Sequence, residues 1–292
     1  LVGRVTPVRL IAQATLEGLP RGSLGARETR EAQWAMLPAH GISGVLAWSD
    51  WAAIRAAGLV PHAMGRLDSP DDAESLLAAH VDAGVASTTL HVGTAFDDDD
   101  TLDRFADALL EASARRGHPV LVETHRATVT QDAWRTLRWV ERFPDLRFSL
   151  DASHWVVGGE LDYGGGFADR LPLFDPVLRR SPMVQGRIAS GGAIQVAVND
   201  PGPWQAHATA LWTRAFALRR HEAPNQAIAF CPELLPHVAG DAWFGYAPVC
   251  RRDDAPHGLE ETTDRFAEAL RLFDLADACA ASAADFPLDS CR

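Results

Sequence analysis

The sequence predicts a single-domain (β/α)8 barrel, and three observations carry that prediction. Short apolar runs alternate with longer amphipathic stretches along nearly all of the 292 residues. The runs are continuously apolar rather than alternating, as expected of parallel strands buried on both faces. Several of them end on a polar residue: Val120-Leu121-Val122-Glu123, Phe148-Ser149-Leu150-Asp151 and Ala229-Phe230-Cys231-Pro232-Glu233. In barrels of this kind the chemical groups sit at the C-terminal ends of strands.

Eight strands are expected, at Val8–Gln13, Gly44–Ala47, Leu59–Met64, Thr88–Val92, Pro119–Glu123, Arg147–Asp151, Pro182–Ile188 and Gln226–Cys231. Helical spacing lies between and after them. Leu102, Phe105, Ala106, Leu109 and Leu110 recur on one face, and Phe266, Leu270 and Phe273 repeat the pattern late in the chain. Asp97 to Asp100 read as a capped helix start, favoured by the macrodipole. They lack the spaced acidic pattern with glycine of a calcium loop. Gly117-His118-Pro119 ends that helix and opens the fifth strand. The stretches from Gly158 to Gly166 and from Gly191 to Pro203 follow strands six and seven, where a barrel carries mouth loops and lids. A doubly wound sheet is the alternative, but no GxGxxG follows the first strand. No repeat or low-complexity linker divides the chain, so residues 1–292 are read as one domain.

The 47% hydrophobic and 23% charged content is that of an ordinary soluble globular protein. No apolar run approaches the roughly 20 residues of a membrane span. A net charge of −12 disfavours nucleic acid or an anionic membrane as the main partner. Cys231, Cys250, Cys279 and Cys291 show no CxxC spacing, which suggests reduced thiols of a cytoplasmic protein rather than a zinc site. Leu1 to Leu10 carries Arg4 and Arg9 without a long apolar core, against a secretory signal. The chain does not open on Met, which suggests trimming and leaves room for a removed leader.

A carboxylate at the tip of a buried strand is costly unless a cation or proton compensates it. Glu123, Asp151 and Glu233 end strands five, six and eight, and their convergence at one mouth suggests a shared divalent metal with oxygen ligands. Taken singly, each acid reads as readily as a helix cap or ion-pair partner. Strand seven brings Gln185 or Arg187 to the same mouth. His91 ends strand four and also faces it, while His62, near the end of strand three, is a weaker candidate. His125 and Arg126 follow Glu123 and would hold substrate or the neighbouring carboxylate. Trp155 is either an apolar wall for a sugar face or part of the core.

The segments Val-Glu-Thr-His-Arg, Leu-Asp-Ala-Ser-His-Trp and Pro-Glu-Leu resemble the xylose-isomerase-like TIM-barrel superfamily. Its members include sugar and sugar-phosphate isomerases and epimerases, and endonuclease IV. The likeness spans most of the chain through strand order, whereas the specific motifs are these short segments. It implies a divalent ion held by Glu, Asp, His and Glu at four consecutive strand ends: here Glu123, Asp151 and Glu233, with Gln185 where the His is expected. An amide oxygen suits Mg²⁺ or Mn²⁺ better than zinc, so the departure implies a site that is weaker, selective for hard metals, or lost. The resemblance leaves Mn, Mg, Co and Zn all open. Arg187 resembles the basic position of an H-x-R strand, implying an anchor for a substrate oxygen or phosphate, or else a rim salt bridge. His154, in a D-x-x-H pattern, implies substrate contact, a second metal, or a hydrogen-bonded loop histidine.

In the epimerase branch the two metal-binding glutamates also move the proton, which assigns Glu123 and Glu233 to catalysis. The function implied is a divalent-metal-dependent isomerase or epimerase of a sugar, sugar phosphate or related polyol ketone. Its partner would be a small carbohydrate, with neither nucleic acid nor membrane, and the resemblance permits homo-oligomers. Two alternatives stand beside it. A catalytically silent ligand-binding barrel is favoured by Gln185. An endonuclease IV-like phosphodiesterase is disfavoured by the acidic charge and by the absence of Asp-x-His after strand seven.

Overall fold

The computed structural model describes residues 6–287. Eight parallel strands, hydrogen-bonded in sequence order, close into a barrel. They are β1 (Val8–Ala12), β2 (Gly44–Ala47), β3 (Val60–Leu67), β4 (Thr88–Val92), β5 (Val120–Glu123), β6 (Phe148–Leu150), β7 (Met183–Gly186) and β8 (Ala229–Pro232). Each expected strand is found. Most bounds shift, with β8 beginning three residues later than expected, and the shifts of β3 and β7 have clear physical reasons. Gly65 and Arg66 interrupt the apolar run of β3, yet the strand continues because Gly65, Arg66 and Leu67 pair with Leu90, His91 and Val92. β7 stops at Gly186 because the chain then turns onto its own loop, where Val196 N donates to Ile188 O at 2.9 Å.

Around the barrel lie α1 (Arg30–Met36), α2 (Trp51–Ala56), α3 (Ala73–Asp82), α4 (Asp99–Arg116), α5 (Ala133–Arg142), α6 (Ser153–Gly158), α7 (Phe167–Arg170), α8 (Asp175–Leu178), α9 (Trp204–Glu222) and α10 (Arg265–Ser282). α4 shows how sequence fixes a helix. Asp98 caps it by accepting from Thr101 N at 2.8 Å, so the acidic run is a cap as expected. Leu102, Phe105, Ala106, Leu109 and Ala112 are all buried at helical spacing, and Gly117 closes the helix at φ 60°. α10 is built likewise, with Asp264 capping and Phe266, Leu272 and Phe273 buried.

The segment between β8 and α10 carries structure that the sequence pattern did not announce. Two antiparallel pairs form there: β9 (Val238–Ala239) with β10 (Ala242–Trp243), and β11 (Val249–Arg251) with β12 (Leu259–Glu261). The buried Arg265 ties this lobe to the loop after β1. Its Nε donates to Glu261 at 2.7 Å and its NH1 to Thr15 O at 2.7 Å. Within the barrel, Leu10, Ala12, Leu46, Met64, Leu121, Met183 and Cys231 form an apolar plug. A larger core fills the space between strands and helices. Cys231 and Cys279 are buried and Cys250 exposed, all three free; Cys291 lies outside the described residues. Among the described residues no helix is long and apolar enough to cross a membrane.

Candidate active site

The apolar plug decides which side chains enter the mouth. Side chains two residues apart on a strand share a face. Leu121, Met183 and Cys231 point into the barrel, and two positions further toward the mouth come Glu123, Gln185 and Glu233. Asp151 stands in the same relation to Ser149, which pairs with Met183. All four mouth residues are buried: Glu123 0%, Asp151 1%, Gln185 1% and Glu233 7% exposed.

These side chains are joined by hydrogen bonds. Gln185 Nε2 donates to Glu123 Oε2 at 2.8 Å and to Ser149 Oγ at 3.1 Å. His91 Nε2 lies 3.0 Å from Glu123 Oε1. Asp151 Oδ1 accepts from the backbone and side chain of Ser153, and Oδ2 accepts from Arg187 NH1 at 2.7 Å. Arg187 Nε donates to Glu233 O at 2.8 Å, and its NH2 stands 3.6 Å from Glu233 Oε2. Arg187 is 4% exposed, so its ion pair lies deep in the mouth and not on the rim. The guanidinium also lies over the Tyr246 ring at 5.2 Å, and Arg126 approaches the same ring at 5.1 Å.

Three imidazoles form a row beside the carboxylates. The rings of His91 and His125 are 4.1 Å apart, and those of His125 and His154 are 4.0 Å apart. His154 Nε2 is 3.4 Å from Asp151 Oδ2, and its Nδ1 is buried without a partner. His62 is not part of this group, which corrects the expectation that it ends strand three. Because β3 runs on to Leu67, His62 falls at the strand's start, bonded to Ser87 Oγ at 2.8 Å. Trp155 is core: it stacks on Phe174 at 5.3 Å and donates to Thr130 O at 2.8 Å.

The two glutamates hold protons differently. Burial would raise the Glu123 pKa, but the charge and hydrogen bond of His91, with His125 behind it, outweigh burial and lower it from its ordinary value. For Glu233 burial and the nearby Glu123 charge act together against partial relief from Arg187, and the pKa is pushed up to about 8. Asp151 is likewise buried, yet Arg187, His154 and Ser153 hold it far below its ordinary value. The His91 pKa is raised, since the attraction of Glu123 exceeds the cost of burial, whereas burial and His154 lower His125 to about 3.

The donor set fits a divalent cation at two atoms in particular. Gln185 Oε1 and Glu233 Oε2 are buried acceptors without a hydrogen-bond partner. Gln185 Oε1 carries an uncompensated desolvation cost that a cation would remove, whereas Arg187 NH2 at 3.6 Å already relieves part of that cost at Glu233 Oε2. Glu123, Asp151 and His154 bring ligand atoms within 4.8 Å of one another, and so do His91, Glu123 and His125. Glu233 belongs to neither trio; Arg187 lies between it and Asp151. Ser149, Ser153 and Tyr246, which orient this group, were not singled out in the sequence. Ser149 could have been found from strand period alone, two positions before Asp151. Tyr246 could not, because it comes from the lobe after β8.

No protein-family model and no curated protein sequence matches the chain. Solved structures match by shape. The structure of L-ribulose 3-epimerase aligns with a TM-score of 0.57 at 13% identity, covering 94% of this chain and 95% of that one. A xylose isomerase-like TIM barrel protein from Mycobacterium smegmatis, in complex with magnesium, aligns with a TM-score of 0.52 at 10% identity, covering 94% of this chain and 97% of that one. At such identities the likeness is one of architecture: this chain has the fold of the xylose-isomerase-like TIM barrels.

Proposed function

We propose that this chain is a metal-dependent isomerase or epimerase acting on a sugar, sugar phosphate or related polyol ketone. The observation that carries the reading is the placement of Glu123 and Glu233, two carboxylates buried in one mouth at the ends of β5 and β8. Two carboxylates facing one site can take a proton from carbon and return one, which is what acid–base chemistry at carbon requires. Glu123, with His91 keeping it ionised, takes the proton from the carbon next to the substrate carbonyl. The electron pair left behind spreads onto the carbonyl oxygen. Glu233 supplies a proton on return, to the same carbon with inverted configuration or to its neighbour.

Glu123, Asp151, Gln185 and Glu233 would hold the divalent ion, whether Mg, Mn, Co or Zn, which when bound polarises the carbonyl and spreads the charge on its oxygen. Gln185 also fixes the Glu123 carboxylate, and Arg187 fixes Asp151 together with the backbone of Glu233. His91, His125, Arg126, His154 and Arg187 are assigned to the substrate hydroxyl groups and any phosphate. The L-ribulose 3-epimerase likeness is consistent with this reaction class. The absence of paired cysteines among the described residues is consistent with a cytoplasmic setting.

The test is solvent exchange. Ketopentoses, ketohexoses and their phosphates are incubated in D₂O with the Mn²⁺-loaded chain and followed by NMR. Deuterium should enter at the carbon next to the carbonyl, and Glu123→Gln and Glu233→Gln should each abolish the exchange. Wild-type exchange in both variants, or none from the folded, loaded wild type, rejects the proposal.

A further inference from the structure

At the N-terminal ends of the strands, opposite Glu123, a cavity of about 330 Å³ opens between α4, β5, the segment before β6 and the end of α9. This is at the lower end of small-molecule sites, roughly 300–1,000 Å³. Leu109, Val120, Leu146 and Pro182 give it apolar walls, and its charged lining is Arg147 and Arg219 with the exposed Asp145 at the edge.

The arginines are what set this cavity apart. Four arginines of the described chain are buried: Arg187, Arg214, Arg219 and Arg265. Three have a carboxylate close by: Arg187 at 2.7 Å from Asp151, Arg214 at 2.6 Å from Asp175 and Arg265 at 2.7 Å from Glu261. Arg219, 4% exposed, forms no ion pair within 4 Å among the described residues, and Glu222 is the acidic group that acts on it. It gives NH1 to Arg179 O at 3.4 Å and NH2 to Gln226 Oε1, and its Nε is buried without a partner.

Arg147 and Arg180 stand beside it and also bond only to neutral oxygens among the described residues. Arg147 NH1 donates to Pro144 O at 3.1 Å and Leu146 O at 3.0 Å; Arg180 donates to Pro144 O and Pro176 O, each at 2.8 Å. Burial first, and then repulsion by Arg147, lowers the proton affinity of both Arg180 and Arg219. Asp145 and Glu222 act on these arginines from exposed positions. A buried guanidinium lacking a counter-charge is costly, and an anion between paired arginines removes that cost. The excess is local, in a chain whose net charge is −12.

We propose that this cavity binds a small organic oxyanion, its carboxylate or phosphate between Arg147 and Arg219 and its apolar body against Leu109, Val120 and Leu146. The site is separate from the mouth, where a barrel keeps its chemistry, and it does not depend on the proposed reaction.

The full-length chain is titrated with sodium phosphate and with sodium benzoate against sodium chloride of equal ionic strength, reading Tm and calorimetric binding. Saturable stabilisation beyond chloride is expected from at least one of them, and the effective one tells phosphate from carboxylate recognition. Arg147→Gln, at a half-exposed position that leaves the fold intact, should weaken it about tenfold. Arg219→Gln should do the same, and Glu123→Gln should leave it unchanged. No effect beyond chloride, or wild-type affinity in Arg147→Gln, overturns the proposal.

Discussion

Gln185 donates from Nε2 to Glu123 Oε2 at 2.8 Å while its own Oε1 is buried with no partner. The amide thus holds one proposed ligand and offers another. Gln185→Leu removes both functions, and Mn²⁺ should then no longer raise Tm. Gln185→His exchanges an oxygen donor for nitrogen, and selectivity should move from Mg²⁺ and Mn²⁺ toward Zn²⁺ and Co²⁺. Thermal shift across the four ions reads both outcomes.

Glu233 makes stability depend on pH in the metal-free protein. Its pKa rises from 4.5 in the unfolded chain to about 8 in the folded one. Between those values the folded chain keeps a proton that the unfolded chain has released, so raising the pH through this window favours unfolding. Urea midpoints should fall from pH 5 to pH 8, and Glu233→Gln should flatten that slope.

Asp151 works in the opposite sense. Burial would raise its pKa, but Arg187 above all holds it far below 3.8. Its contribution is therefore present above the ordinary carboxylate range and is lost only as pH falls through the depressed value. Arg187→Met leaves the buried carboxylate uncompensated. Stability at pH 7 should drop by about 3–5 kcal/mol, and acid unfolding should begin at a higher pH. Acid titration by circular dichroism measures both.

Gly186, the last residue of β7, lies between Gln185 and Arg187. A Cβ there would stand 2.6 Å from Phe230 Cζ. That ring is itself enclosed by Trp212, Phe216 and Phe273, so it has nowhere to move. Gly186→Ala should cost about 1–3 kcal/mol through overpacking, read as a lowered urea midpoint.

The barrel was legible because parallel strands buried on both faces leave continuous apolar runs, and the carboxylates because each breaks such a run at its end. Arg187 was legible as a mouth residue, but its partners were not. An arginine two positions beyond Gln185 shares its face by strand period, whereas the pairing with Asp151 and the backbone of Glu233 depends on how three strands converge. His62 was misplaced because Gly65 and Arg66 disguise the continuation of β3, whose ladder is set by its neighbour β4. The lobe carrying Tyr246 was invisible, since its two- and three-residue strands are too short to leave a period.

The most direct measurement is anomalous diffraction from crystals soaked in Mn²⁺. One ion should appear in the mouth, in contact with Glu123, Asp151, Gln185 and Glu233, and it should be absent from Glu123→Gln crystals. An ion held by His91 and His125 away from Glu233, or a mouth in which Arg187 keeps Asp151 and no ion binds at saturating Mn²⁺, would contradict the account.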